Sequence, residues 1–111
     1  MGSKYSFTQN TMTNTAIGDN AAVIVQGWGD DQLRKLAADI LAHRPEIENK
    51  ASSPEQKDDV RTIDAIRREA DKGNKSGVIE QLKKLGTWGW EMLKQLGVPL
   101  AVEALKKAVG L

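Results

Sequence analysis

Apolar positions divide the chain into a short N-terminal part that alternates and a longer part that follows helical spacing. Apolar and polar residues alternate up to about residue 17, and a second apolar run follows Gly18-Asp19-Asn20. Alternation is typical of half-buried strands, and the intervening residues tolerate the positive φ of a turn. The pattern predicts a β-hairpin arm over residues 1–29. Its apolar positions are Tyr5, Phe7, Ile17, Val23, Ile24 and Val25.

We expect this arm to pair with copies of itself. A lone two-stranded hairpin is marginal in water, and its open backbone edges invite pairing with another chain. The six apolar residues of the arm would then set the register of an intermolecular sheet. A disordered arm is the alternative, but the run from Val23 to Val25 would be costly to leave exposed.

Residues 30–111 have the spacing of amphipathic helices. The first stripe predicts a helix over residues 31–44, which Pro45 ends or kinks. Ser53-Pro54-Glu55-Gln56 is a strong helix start and predicts a second helix over residues 54–72. Gly73 closes that helix, and Ser76 is the expected cap of the next. The first stripe consists of Leu33, Leu36, Ala37, Ile40 and Leu41.

The chain becomes more apolar after Gly77 and carries two breaks. Gly86 and Gly89 each weaken a helix by roughly 1 kcal/mol relative to alanine, and Gly97-Val98-Pro99 interrupts the chain again. We therefore expect three to five helices after the arm, packed as a bundle. The predicted fold class is α+β and mostly α, with a β arm over residues 1–29 and a helical domain over residues 30–111.

The last helices contain a tryptophan-bearing apolar cluster that is the best functional candidate. Aromatic stripes at helical spacing are usually buried, so core packing is one interpretation. Tryptophan also favours membrane interfaces and protein contacts, and lysines can extend from the same helices towards lipid headgroups. The sequence leaves both interpretations open. The cluster consists of Trp88, Trp90, Met92, Leu93, Leu96, Leu100 and Leu105.

Charge and composition indicate which partners and which cellular compartment to expect. The net charge of +1 gives no reason to expect nucleic acid, although residues 74–111 carry six basic against three acidic side chains. A basic amphipathic end can lie on an anionic membrane. The chain has no cysteine, a polar N-terminus and no apolar run of membrane-spanning length. We expect a cytoplasmic protein, with a peripheral position at the inner membrane as the alternative.

No catalytic or cofactor-binding pattern is present in the sequence. His43 is the single histidine, and the H-E-x-x-H, P-loop and G-x-G-x-x-G patterns are missing. The acidic pairs Asp58-Asp59 and Glu46/Glu48 occur in strongly charged stretches, so we interpret them as ion pairs and solubilising groups. We therefore expect no enzyme activity, no cofactor and no metal site.

The layout resembles a group of small bacterial proteins, and modules of larger ones, from phage-defence or conflict loci. Three features carry the likeness: the Ala16-Ile17-Gly18-Asp19-Asn20 segment, the charged helical pair, and Asn74-Lys75 followed by an apolar end. Ile79, Leu82 and Leu85 provide the spacing of that last stretch. Two tryptophans and Pro99 depart from the alanine-rich end of the group. The resemblance implies a self-assembling adaptor or effector-associated part that is not a catalyst.

These observations predict a non-catalytic homo-oligomeric interaction protein whose first partner is a copy of itself. A larger effector protein and membrane lipid are further candidate partners. The alternative function is a small membrane-active effector, in which the amphipathic C-terminal helices insert into a bilayer after assembly.

Overall fold

The chain folds into a series of α-helices. The computed structural model describes the backbone of residues 8–108 and the side chains of residues 17–104 and 106. Six helices and no strand occur within that part of the chain. The helices are α1 (Thr8–Gln26), α2 (Asp30–Lys50), α3 (Pro54–Asp71), α4 (Lys75–Lys84), α5 (Thr87–Gln95) and α6 (Pro99–Ala108).

Helix α1 occupies the segment predicted to form a β-hairpin, so the predicted α+β fold class is wrong. Ile17, Ala21 and Val25 recur every four residues and are buried, whereas Val23 is 63% exposed. A strand would place Val23 and Val25 on the same face, but an α-helix rotates them by about 200°. The segment is therefore helical because a helix places Ile17, Ala21 and Val25 together against the core while Val23 faces outward.

Gly18 lies inside α1 because it allows two helices to approach closely. A Cβ added there would lie 3.1 Å from the Cα of Lys83 and 3.3 Å from the carbonyl oxygen of Leu82. At the other end of α1, Lys75 Nζ donates to the Gln26 carbonyl oxygen at 3.2 Å. These two contacts show that α1 and α4 run antiparallel. The glycine interpreted as a turn residue is thus a helix-packing residue.

Helix α2 continues through Pro45 to Lys50, well beyond the predicted end at residue 44. An interior proline costs about 3 kcal/mol because it removes a backbone donor and crowds the preceding turn. Burial of Ile47, which is 0% exposed, contributes about 1.5–3 kcal/mol in the opposite direction. Arg44, directly before the proline, forms ion pairs with Glu48 in the next turn of α2 and with Asp64 on α3. Together these interactions keep the last turns helical.

Helix α3 begins as predicted, whereas α4 has a different cap. Ser53 Oγ accepts a hydrogen bond from the Gln56 backbone N–H at 3.2 Å, and the Gln56 side chain accepts from the Ser53 N–H. This is a capping box. Asn74, and not Ser76, caps α4 by accepting from the Gly77 N–H at 3.2 Å.

A single apolar core unites the helices. Helix α3 contacts α2, α4 and α5, while α1 contacts α4 and α6, and α5 contacts α6. Buried residues from all six helices belong to one cluster, with Trp90 its largest fully buried side chain. The predicted helical bundle after Asp30 is confirmed, with five helices between Asp30 and Ala108. Helix α1 packs on this bundle through Ile17, Ala21 and Val25.

Candidate interaction surfaces

Helix α2 has a second apolar face that points away from the core. Its core face is buried against the neighbouring helices, but Ala38, Leu41, Ala42 and Pro45 are exposed. Residues three or four positions apart lie on the same side of a helix, so these four residues form one surface, which we call the outer α2 face. Leu41 is 60% exposed and forms its centre. An exposed leucine among apolar neighbours marks a surface that can bind another protein. The core face consists of Leu33, Leu36, Ala37, Ile40 and Ile47.

Opposite charges flank the outer α2 face at its two ends. Arg34 and Glu48 each lie seven residues from Leu41, which places them on the same side of the helix. The Arg34 side chain is 70% exposed and its nearest acidic group, on Asp31, is 4.0 Å away. The Glu48 side chain is 72% exposed and one of its oxygens accepts from Arg44 Nη1 at 3.1 Å. The face therefore has a basic end and an acidic end.

An apolar groove lies beside the first half of α2. It has a volume of about 370 Å³, within the usual range of ligand and peptide sites. It lies between α2 and the beginning of α6; α2 packs mainly on α3, whereas α6 packs on α1 and α5. Lys35 Nζ and Asp39 pair across 3.1 Å at its edge. The groove is lined by Trp28, Asp31, Gln32, Lys35, Leu36, Asp39, Val98, Pro99 and Leu100.

The tryptophan-bearing cluster at the C-terminal end is mostly part of the core. Trp90, Met92, Leu93 and Leu100 are buried, whereas Trp88 and Leu96 are half-buried. The Leu105 side chain lies outside the described residues. The Trp90 indole nitrogen has no hydrogen-bond partner within the described structure. Four of the seven residues of the cluster are therefore buried in the apolar core.

Within the described residues, the apolar positions proposed to pair arms between protomers do not share a surface. Ile17 and Val25 are buried against the helical core, Ile24 is half-buried, and Val23 is exposed. Tyr5 and Phe7 lie outside the described residues. Because residues 17–25 are helical, the predicted intermolecular β pairing through this segment is wrong.

Asp59 connects two helices that are distant in the sequence. Its Oδ1 accepts from the Gly86 N–H at 3.0 Å, and its Oδ2 accepts from the Gly89 N–H at 2.9 Å. A Cβ on Gly86 would lie 2.9 Å from the carboxylate, and one on Gly89 would collide with Leu85. The two glycines thus admit a carboxylate that satisfies free N–H groups at the start of α5. Sequence reasoning assigned Asp59 to the solvated surface and missed this role.

Two acidic residues near Asp59 form ion pairs, and the sequence predicted the one made by Asp58. Asp58 pairs with Arg61 at 2.7 Å in an exposed position. Arg44 makes a bidentate pair with Asp64, with Nε–Oδ1 and Nη2–Oδ2 distances of 2.6 and 2.9 Å. The hydrogen bond to Asp64 raises the pKa of Arg44 above its usual value, although partial burial opposes the shift. This pair ties α2 to α3.

The single histidine lies on the surface of α2, away from any group of metal ligands. His43 Nδ1 lies 3.4 Å from Glu46 Oε1 on the surface of α2. Among the described residues, no three His, Cys, Asp or Glu side chains are grouped so as to hold a metal ion. None of the described helices combines the length and apolarity needed to cross a membrane. The features that stand out are the outer α2 face and the groove.

Comparison with protein families, characterised proteins and solved structures found no match to this chain.

Proposed function

We propose that this chain is a non-catalytic protein that assembles with copies of itself and serves as an interaction part, in the cytoplasm, of a bacterial defence or conflict system. The exposed outer α2 face carries this proposal. A helix that already buries one apolar face and exposes a second, centred on Leu41, has a surface available for another chain. The resemblance to small defence-locus proteins supports the biological setting.

The proposed assembly no longer depends on strand pairing. The apolar residues of α1 that belong to the core, such as Ile17 and Val25, stabilise the single chain. Self-association is therefore assigned to helical surfaces, where side-chain packing rather than main-chain hydrogen bonding supplies the affinity. One helix face per copy is smaller than a standard interface of about 800 Å² per partner. We therefore expect a weak association, in which the fraction of paired chains rises with protein concentration.

The experiment is a measurement of molar mass against concentration. We expect the mass from sedimentation equilibrium to exceed that of the 12.1 kDa chain and to rise with loading concentration. A mass that stays at one chain from micromolar to near-millimolar concentration would contradict self-assembly.

Membrane insertion by the C-terminal helices is the alternative function, and burial of the tryptophan-bearing cluster weighs against it. Trp90 and Leu93 are buried, so insertion would require both to leave the core. Dye release from anionic vesicles is the measurement that separates the two functions. Release that depends on the protein, without self-association in solution, would favour the membrane-active alternative.

A further inference from the structure

We propose that two copies of the chain pair antiparallel through the outer α2 face, about a two-fold axis near Leu41. This inference rests on the proposed self-assembly and names its surface and its geometry. A two-fold symmetric contact uses the same patch on both copies, so the patch must complement itself. The outer α2 face meets that requirement in shape and in charge.

The shape follows from the side chains around Leu41. Alanines at positions 38 and 42 lie beside Leu41, and all of these positions are exposed. Small side chains next to a large one form a surface into which the leucine of a second helix can fit, with helix axes about 8–10 Å apart. Pro45 extends the apolar surface by one further turn. Antiparallel pairing about Leu41 places Ala38 of one copy within one residue of Pro45 of the other.

The charges select the antiparallel direction. Arg34 and Glu48 lie at equal sequence distances on either side of Leu41. In an antiparallel pair, Arg34 of each copy lies opposite Glu48 of the other, which gives two ion pairs at the ends of the contact. A parallel pair would instead bring like charges together. Glu48 can accept the additional bond, because a carboxylate has several acceptor sites and Arg44 uses one oxygen.

Other exposed apolar positions lack this organisation. Val23 is as exposed as Leu41, at 63%, but its exposed neighbours on α1 include Asp19 and Gln26. Isolated apolar side chains on a surface are common and need no partner. The groove beside Trp28 is lined by Lys35, Leu36 and Asp39 of α2, and none of these belongs to the outer α2 face.

The first test compares Leu41→Asp with Val23→Asp. Both replace an exposed aliphatic residue on a helix by a carboxylate, so both chains should retain the wild-type helical circular dichroism. We expect Leu41→Asp to weaken association at least about tenfold in sedimentation equilibrium, since it places two carboxylates near the symmetry axis. Val23→Asp should associate within about twofold of wild type. Equal association of wild type and Leu41→Asp would overturn the proposed surface.

The second test exchanges the charges. Arg34→Glu and Glu48→Arg should each weaken association severalfold, because each places like charges opposite one another. The double variant Arg34→Glu/Glu48→Arg should return to within about threefold of wild type, and an equimolar mixture of the single variants should form mixed dimers. Failure of the double variant to recover would contradict antiparallel pairing.

The third test fixes the direction by cross-linking, since the chain has no cysteine of its own. Ala42→Cys lies near the two-fold axis, so two copies should oxidise rapidly to a disulfide-linked dimer. Ala38→Cys should not, because antiparallel pairing separates the two thiols by about 10 Å along the axis, beyond the reach of a disulfide. Rapid cross-linking of both variants would indicate a parallel pair and overturn the proposal.

These measurements distinguish failure of this inference from failure of the proposed function. A wild-type chain that remains monomeric contradicts both. A wild-type chain that associates, but whose association ignores Leu41→Asp and the charge exchange, contradicts only the assignment to the outer α2 face.

Discussion

At the scale of single residues, a few polar side chains determine how the helices are joined. Asp59 on α3 accepts two backbone hydrogen bonds at the start of α5, and Arg44 on α2 forms an ion pair with Asp64 on α3. Both contacts cross between helices and are partly buried. Such contacts differ from the exposed pair of Asp58 and Arg61, which lies within one helix and is open to solvent.

We expect Asp59→Ala to lower the free energy of unfolding by about 1–2 kcal/mol. The substitution leaves the N–H groups of Gly86 and Gly89 without their acceptor, which resembles the loss of a helix cap. Urea denaturation followed by circular dichroism measures the change. Asp58→Ala is the matched control at the neighbouring exposed position and should shift stability by less than about 0.5 kcal/mol. Equal effects of the two substitutions would show that the cap contributes little.

The pair of Arg44 and Asp64 should show measurable coupling. Both side chains are about one-quarter exposed, at 25% and 24%, so solvent screens them only partly. A double-mutant cycle with Arg44→Met and Asp64→Asn is expected to give roughly 1 kcal/mol, against less than about 0.5 kcal/mol for Arg61 and Asp58. Because the pKa of Arg44 is raised, this arginine stays charged at neutral pH, and the contribution of its charge falls as the pH rises into the strongly alkaline range. A coupling no larger than that of the exposed pair would refute this estimate.

At the scale of elements, the position of α1 depends on how closely it approaches α4. Gly18 faces the backbone of Leu82 and Lys83, which cannot move away as a flexible side chain could. Burial of Ile17, Ala21 and Val25 follows from that approach. The helix would otherwise be a poor one, because its sequence is rich in threonine and asparagine.

Gly18→Val should therefore separate α1 from α4 and destabilise the fold by about 1–3 kcal/mol. Gly27→Val is the control, since a Cβ at Gly27 meets only the Ile24 carbonyl oxygen, at 3.6 Å. The measurement is the urea midpoint of each variant. If both substitutions cost the same, the β-branched side chain and not the helix contact would account for the loss.

At the scale of the whole molecule, one core joins the first helix to the last. The buried cluster contains residues from α1, from the hairpin of α2 and α3, and from the pair α5 and α6. A core of this kind usually unfolds in a single step in chains of this length. The N-terminal segment predicted to be a separate arm is thus attached to the helical domain by buried side chains.

We expect a variant with Trp28→Phe and Trp88→Phe to report unfolding of the core through Trp90 alone. Its fluorescence transition in urea should coincide with the helical circular dichroism transition, because Trp90 is fully buried in the shared cluster. Trp90 should also resist quenching by acrylamide until that transition. Separate midpoints would show that α1 or the α5–α6 pair unfolds independently.

The predictable parts of the fold and of the candidate surfaces are those specified within a few residues. The Ser53 capping box, the stop at Gly73 and the breaks near Gly86 and Gly97 follow from neighbouring residues, so the bounds of α3 and the interruptions after Gly77 could be predicted. The outer α2 face could not be predicted, because Leu41 continues an apolar stripe whose other members are buried. Nothing local distinguishes Leu41 from Leu33 or Leu36. The role of Asp59 depends on glycines 27 and 30 residues away.

By itself, the sequence determined where α3 begins and ends, where glycines and Pro99 interrupt the chain after Gly77, and which residues after Asp30 are periodic, because caps, prolines and glycines act on the adjacent backbone. Only the tertiary structure decided that residues 17–26 are helical, that Trp90 is buried, and that Leu41 faces outward. Each depends on contacts between segments far apart in the chain. For residues 17–26 the physical reason is that alternation and helical spacing both fit the apolar residues, and burial against α4 and α6 favours the helix.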